Sequence, residues 1–214
     1  MQARAATASA VLPDPSFRAL LGELAWRRLV PAVRARFAVK PAPGSAILYR
    51  GTMQEVRASW AGKLLAQACR LIGTPLAPYR GRDVPVGVRL RLDTDGSGVL
   101  WERTYHFVNR APVTCVSVKR AESSGLVEVV AAGIGMTLAL AESQGALHFR
   151  STEYFWRWRR WRLALPRWLT PGEMHVVHAD LGGGRFRFAI AITHPLFGEI
   201  IRQDGVFREA RRQR

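Results

Sequence analysis

The spacing of apolar residues changes once along the chain. Up to Gly73 it is mainly helical. In "DPSFRALLGELAWRRLVPAVRARF", Phe17, Leu20, Leu21 and Leu24 fall on one helical face, with Asp14 placed to cap and Pro15 suited to a first turn. Pro31 is expected to divide this run into two short helices. "SWAGKLLAQACRLIG" predicts a further amphipathic helix, capped by Ser59 and ended by Gly73. From Val84 onward the period is two. Val84, Val86, Val88, Leu90 and Leu92 alternate with Pro85, Gly87, Arg89 and Arg91, as in a strand with one apolar and one largely solvated face.

More strand-like runs surround that one. They are "ILYRGTMQEVRA", "VLWERTYHFV", "VTCVSVKRA", "LVEVVAAGIGMTLALAE" and a long run from Ala146. Three more follow Pro171, separated by a triple-glycine turn and a "HPLFG" turn. Eight or nine strands joined by short turns predict a mostly antiparallel meander. Such a sheet must curl, close or be covered to bury one face and protect its edges. The expected class is therefore α+β: N-terminal helices over a strongly curved sheet or half-barrel of about eight strands. At 214 residues the chain suits one domain with a proper core. Residues 1–13 read as a flexible N-terminus and 14–210 as a single domain, with 14–73 the helical cover and 84–208 the sheet.

One stretch stands apart. "YFWRWRRWRLALPRW", Tyr154 to Trp168, holds four of the seven tryptophans and five arginines. Residues 146–165 would span roughly 65 Å if fully extended, longer than an ordinary strand. Tyr154, Trp156 and Trp158 share one parity, and Trp161, Leu163 and Leu165 have the other. A bulge or corner near Arg159–Arg160 is expected. On the plain reading this is one bent core strand. On the sharper one, the bend sets aromatics and arginines at a pocket mouth or interface. Tyr154, Trp156, Arg157, Trp158 and Arg159 would then be ligand contacts, joined by His194 and Arg202. Half-buried tryptophans beside arginines suit an amphiphile with an anionic head, or a lipid headgroup layer. They also suit single-stranded nucleic acid. That partner is the least supported, because the chain has no RNP-like motif, zinc module or recognition helix.

Charge sharpens the picture only a little. The formal net charge of +16 suggests an anionic partner. Yet only three of the 32 basic residues are lysines, and an Arg-, Ala-, Gly- and Val-rich chain is what a GC-rich genome tends to encode. The excess is also spread out: seven basic against two acidic residues in 1–48, twelve against eight in 49–145, thirteen against six in 146–214. The start lacks the apolar segment of a signal peptide, and no run approaches the ~18 apolar residues of a membrane span. The expectation is a cytoplasmic protein, or one peripheral to the inner membrane.

Candidate chemistry is sparse. Cys69 and Cys115 form no metal pattern and read as buried small residues. In "HVVH", His175 and His178 would point to opposite faces of a strand, so one metal would not take both. His194, before Pro195, is placed to fix its turn by a hydrogen bond. Glu199, Arg202 and Asp204 suit an ion-pair cluster. An enzyme acting on a hydrophobic substrate would need His106, His194 or Glu199 to converge as acid and base. The glycines at 133–135 and 182–184 match no phosphate loop or dinucleotide fingerprint, and no G-x-S-x-G or H-E-x-x-H occurs. No metal, cofactor or catalytic residue is assigned.

Several short runs, in their order, carry a family resemblance: "YRGTMQEVRA" (49–58), "GMTLAL" (135–140), "GALHFRS" (145–151), "LPRWL" (165–169) and "RFRFAIAITHPLFGEIIRQDGVF" (185–207). From about Phe17 the chain resembles the bacterial family called domain of unknown function 4166, in its stand-alone form. The resemblance implies a cytoplasmic accessory domain, sometimes carried at the end of chains with an NAD(P)-binding, reductase-like domain. It implies a reductase-like partner, brings no established activity and transfers no catalytic residue. The functional expectation is a non-enzymatic module with a basic surface that binds a small ligand or lipid or serves a partner. The alternatives are an enzyme working in a sheet-lined cavity, and peripheral binding to anionic membranes or nucleic acid.

Overall fold

The computed structural model describes residues 11–70, 76–159 and 161–210. A short strand β1 (Val11–Pro13) precedes helices α1 (Ser16–Leu21), α2 (Glu23–Arg28) and α3 (Pro31–Phe37). Strands β2 (Val39–Pro41) and β3 (Ile47–Ala58) follow, then helix α4 (Trp60–Cys69). The rest is strand: β4 (Gly81–Leu92), β5 (Val99–Tyr105), β6 (Val113–Glu122), β7 (Gly125–Val129), β8 (Ile134–Ser143), β9 (Ala146–Trp158), β10 (Trp161–Ala164), β11 (Glu173–Gly182), β12 (Arg185–His194) and β13 (Gly198–Glu209).

Ten of these strands close on themselves. The antiparallel order runs β9-β11-β12-β13-β3-β4-β5-β6-β7-β8, and β8 pairs back onto β9 from Ile134↔Trp156 to Ser143↔Ala146. The expected half-barrel of about eight strands is thus a closed barrel of ten, and the fold is sheet-dominated rather than a helical layer over a sheet. Closure removes the exposed edges that an open sheet of this length would carry. Register shifts at Thr137/Leu138 and Asp204/Gly205 add the local twist that curling needs.

Two strand readings change. "LVEVVAAGIGMTLALAE" is two paired strands, β7 and β8, joined by a 3-10 turn at Ala131–Gly133. The run from Ala146 is not one bent strand. Trp158 pairs with Trp161 and Leu163 with Trp156, so the chain reverses at 159–160 and β10 folds back along β9. Arg159 takes a positive φ of 52° at the reversal, while Arg160 lies outside the described residues. The three-residue step had marked the right place but the wrong geometry.

The helices close the barrel ends instead of lying on its face. α1 is held at its start by Asp14, whose Oδ1 accepts from Ser16 N. Gly22, with φ of 83°, separates α1 from α2, a break that Pro31 alone did not foretell. Phe17, Trp26, Leu29, Val33 and Phe37 are buried and plug the lower end, where Val30 N donates to Gly145 O in the β8–β9 turn. Pairing of Val11–Pro13 with Val39–Pro41 ties the start of the described chain to this plug. α4, capped by Ser59 Oγ accepting from Gly62 N, crosses the upper end. It ends at Cys69, and the expected stop at Gly73 lies outside the described residues. Gly62 lets it approach: a methyl there would run into the Ile200 carbonyl of β13. No helix among the described residues is long and apolar enough to cross a membrane.

Candidate functional site

A cavity of about 320 Å³ lies inside the barrel and reaches its upper rim. Its upper wall is built by Leu65 and Cys69 of α4 and by Leu165, Leu169 and Pro171 from the segment after β10. Met136, Leu138, Phe149, Val176, Phe188 and Ile190 make apolar sides. These are inward positions of β8, β9, β11 and β12, alternating with outward neighbours as a barrel requires. For scale, an apolar cavity of about 150 Å³ holds a benzene molecule.

The deeper wall is polar. Inward positions of β5, β6, β7 and β11 bring Trp101, Arg103, Lys119, Glu128 and His178 to the same cavity. Lys119 Nζ lies 2.7 Å from Glu128 Oε1 and 4.7 Å above the Trp101 ring. Arg103 Nη2 donates to Ser117 Oγ at 3.2 Å. Burial pushes the Glu128 carboxyl up, but Lys119 and then Arg103 outweigh it and hold the group below its ordinary value. Burial lowers the Lys119 ammonium, against the pull of Glu128. Burial, then the charges of Arg36, Lys119 and Arg103, hold His178 well below its ordinary value, so it is neutral at pH 7. The site therefore carries two cations, one carboxylate and a neutral imidazole: a net charge of +1.

This wall is not internally satisfied. Trp101 Nε1, Arg103 Nε and His178 Nδ1 are shielded from solvent and have no hydrogen-bond partner among the described residues. Buried polar atoms in folded proteins are nearly always paired, so three orphans on one cavity are an unusual concentration. Tyr154 also lines the cavity, and burial pushes its phenol up to about 12. Burial likewise raises the Cys69 thiol and pushes Cys115 up to about 11, which keeps both as thiols at neutral pH.

Of the seven residues singled out in the sequence, Tyr154 alone lines this cavity. Trp156 and Trp158 stack on one exposed face of the β9–β10 hairpin, with Trp156 Nε1 donating to Ala132 O. Arg157 pairs with Glu122 on the opposite face, and Arg159 lies over Trp158. His194 Nδ1 accepts from Leu196 N and fixes its turn, and Arg202 pairs with Glu199 and Glu55. Of the three proposed acid–base groups, His106 and Glu199 are exposed, His194 sits in that turn, and none lines the cavity. In "HVVH", His178 points inward, while His175 lies outside with its Nε2 2.9 Å from His148 Nδ1. Among the described residues no three His, Cys, Asp or Glu side chains gather as metal ligands.

The sequence reading missed Arg103, Lys119, Glu128 and Trp101. Parity was the available signal. Trp101, Arg103 and Tyr105 share a face, as do Cys115, Ser117 and Lys119. On β6 alternation offers the apolar Val116 and Val118 to the core, yet Ser117 is the buried residue.

No curated protein and no solved structure matches the chain. The family profile described as "domain of unknown function (DUF4166)" matches residues 29–207, from just after α2 through nearly all of β13. The match takes in every strand of the closed barrel and both walls of its cavity, and the chain belongs to that family.

Proposed function

We propose that the barrel binds a monoanionic amphiphile, apolar body in the cavity and anionic head against Arg103, Trp101 and His178. The observation that carries this reading is the coincidence of three orphaned buried polar atoms with an apolar cavity. The Trp101 and Arg103 atoms are donors, and neutral His178 can present a third donor through its Nδ1 tautomer. The net charge of +1 calls for one negative charge. A carboxylate supplies that charge and the missing acceptors together. The reductase-like partner implied by the family resemblance draws no support from this site.

The test uses decanoate and its uncharged methyl ester as probes, followed by titration calorimetry. Decanoate is expected to bind more tightly than the ester. Arg103→Gln removes the charge and shortens the side chain, leaving an amide near the position of Nε, and is expected to weaken decanoate alone, by roughly ten- to a hundredfold for a lost charged hydrogen bond of about 1.5–3 kcal/mol. Equal affinity for both probes, or an unchanged affinity in the variant, would count against the assigned head site.

A further inference from the structure

The connections at the two ends of the barrel differ in charge. At the upper end they are residues 59–80, 106–112, 130–133, 159–172 and 195–197. These hold eight basic residues (Lys63, Arg70, Arg80, Arg110, Arg159, Arg160, Arg162 and Arg167 by sequence) and no acidic one. The lower-end segments, 14–46, 93–98, 123–124, 144–145 and 183–184, hold six basic and four acidic residues. Genome composition would raise arginine everywhere; it does not clear carboxylates from the connections at one end, where the nearest, Asp83, Glu173 and Glu199, stand on the first residues of strands and the last two pair with Arg150 and Arg202. Among the described residues Lys63, Arg70, Arg110, Arg159 and Arg167 are exposed and have no carboxylate partner.

The same end carries five of the six most exposed large apolar side chains among the described residues, Leu24 of α2 at the lower end being the sixth. Trp60 and Leu64 project from α4, Val108 from the β5–β6 connection, Trp168 from the segment after β10 and Leu196 from the β12–β13 turn, at 67–84 % exposure. The β9–β10 hairpin adds a face. Cross-strand pairing puts Trp156 beside Leu163 and Trp158 beside Trp161 on one side, all exposed. The other side is spent on the protein itself: Arg162 covers the buried Phe155 ring and pairs with Glu153. The hairpin thus presents tryptophan outward and keeps two of its arginines pinned behind.

We propose that this upper end docks on the headgroup layer of an anionic bilayer, with the cavity mouth facing the lipid. Tryptophan is the side chain that favours the interface between hydrocarbon and water, and long basic side chains reach headgroup phosphates beside it. A protein partner would ordinarily take one contiguous patch, whereas here apolar side chains come from separate loops around a mouth. Exposed Leu64, Val108, Leu163 and Leu196 offer nothing to a stacked base, which disfavours nucleic acid. The proposal deepens the ligand-binding reading and takes its purpose from it, since lipid would enter and leave where the cavity opens. The docking itself stands on the surface alone.

The experiment is co-sedimentation of the full chain with phosphatidylcholine vesicles, with and without phosphatidylglycerol, at low and physiological salt. Binding is expected only with phosphatidylglycerol and is expected to weaken with salt. The triple variant Lys63→Gln, Arg159→Gln, Arg167→Gln is expected to lose roughly a hundredfold in affinity, about fivefold per charge. Trp161→Ser with Trp168→Ser is expected to weaken binding and reduce quenching of tryptophan fluorescence by brominated lipid. All five side chains are exposed, and unchanged thermal melting confirms that the variants fold. No binding at low salt, or equal binding by wild type and triple variant, overturns the proposal. So does self-association through this end, or a nucleic-acid shift, without vesicle binding. Arg103→Gln separates the two readings: it is expected to bind vesicles as wild type does while losing decanoate. Decanoate binding without vesicle binding would sink the docking and leave the lumen site standing.

Discussion

His178 sits among aromatic rings, 5.1 Å from both Phe37 and Phe188 and 5.8 Å from Phe149. It is neutral in the folded chain because burial and three nearby cations oppose a second proton. On unfolding it regains an ordinary imidazole and takes up a proton below about pH 6.5. The unfolded state then binds more protons, so stability rises with pH through this window and falls as the pH drops below about 6.5. The slope is at most about 1.4 kcal/mol per pH unit for one group. His175, lowered mainly by burial, adds in the same direction. His178→Phe suits the aromatic surroundings and is expected to flatten the fall in melting temperature between pH 7.5 and 5.5. A variant as steep as wild type would mean that His178 is already charged when folded. At this scale the sequence was a poor guide to the lumen. A strand with one solvated and one buried face announces itself by apolar alternation. A polar lumen breaks that rule, and β6 therefore offered Val116 and Val118 where Ser117 and Lys119 face inward.

At the scale of elements, α4 and the β9–β10 hairpin frame the mouth of the cavity. α4 can lie against β13 only because residue 62 has no side chain. Gly62→Ala is expected to push the helix away and destabilise the protein by about 1–3 kcal/mol. Gly87→Ala is the control, since a methyl there meets nothing within 4 Å. A lowered midpoint with faster amide exchange in α4 for Gly62→Ala alone bears out the packing. Identical melting of both variants contradicts it. Elements with strong punctuation were legible. Ser59 caps α4, and the triple glycine and "HPLFG" separate β11, β12 and β13 where the residues said they would. The β7–β8 hairpin was not legible, because Val129 to Met136 runs on in small and apolar residues and its turn is closed by Ala132 at a φ of 58°. In the tryptophan-rich run the change of parity was visible, but a corner and a reversal leave the same trace.

Across the whole molecule, closure of the ten-strand ring turns a curved sheet into a container. Its lower end is plugged by α1–α3 and its upper end is basic and apolar at once. Closure was not legible, because it depends on the pairing of β3 with β13 from opposite ends of the chain rather than on any local pattern. Curvature was, since a long antiparallel meander has few other ways to protect its edges. The central claim is that the lumen holds an anionic amphiphile, and native mass spectrometry of freshly purified protein tests it most directly. A retained lipid-like mass that dissociates as an anion, or uptake of one decanoate per chain by stripped wild type but not by Arg103→Gln, is the expected result. A homogeneous apo mass that takes up neither decanoate nor a longer carboxylate would contradict it.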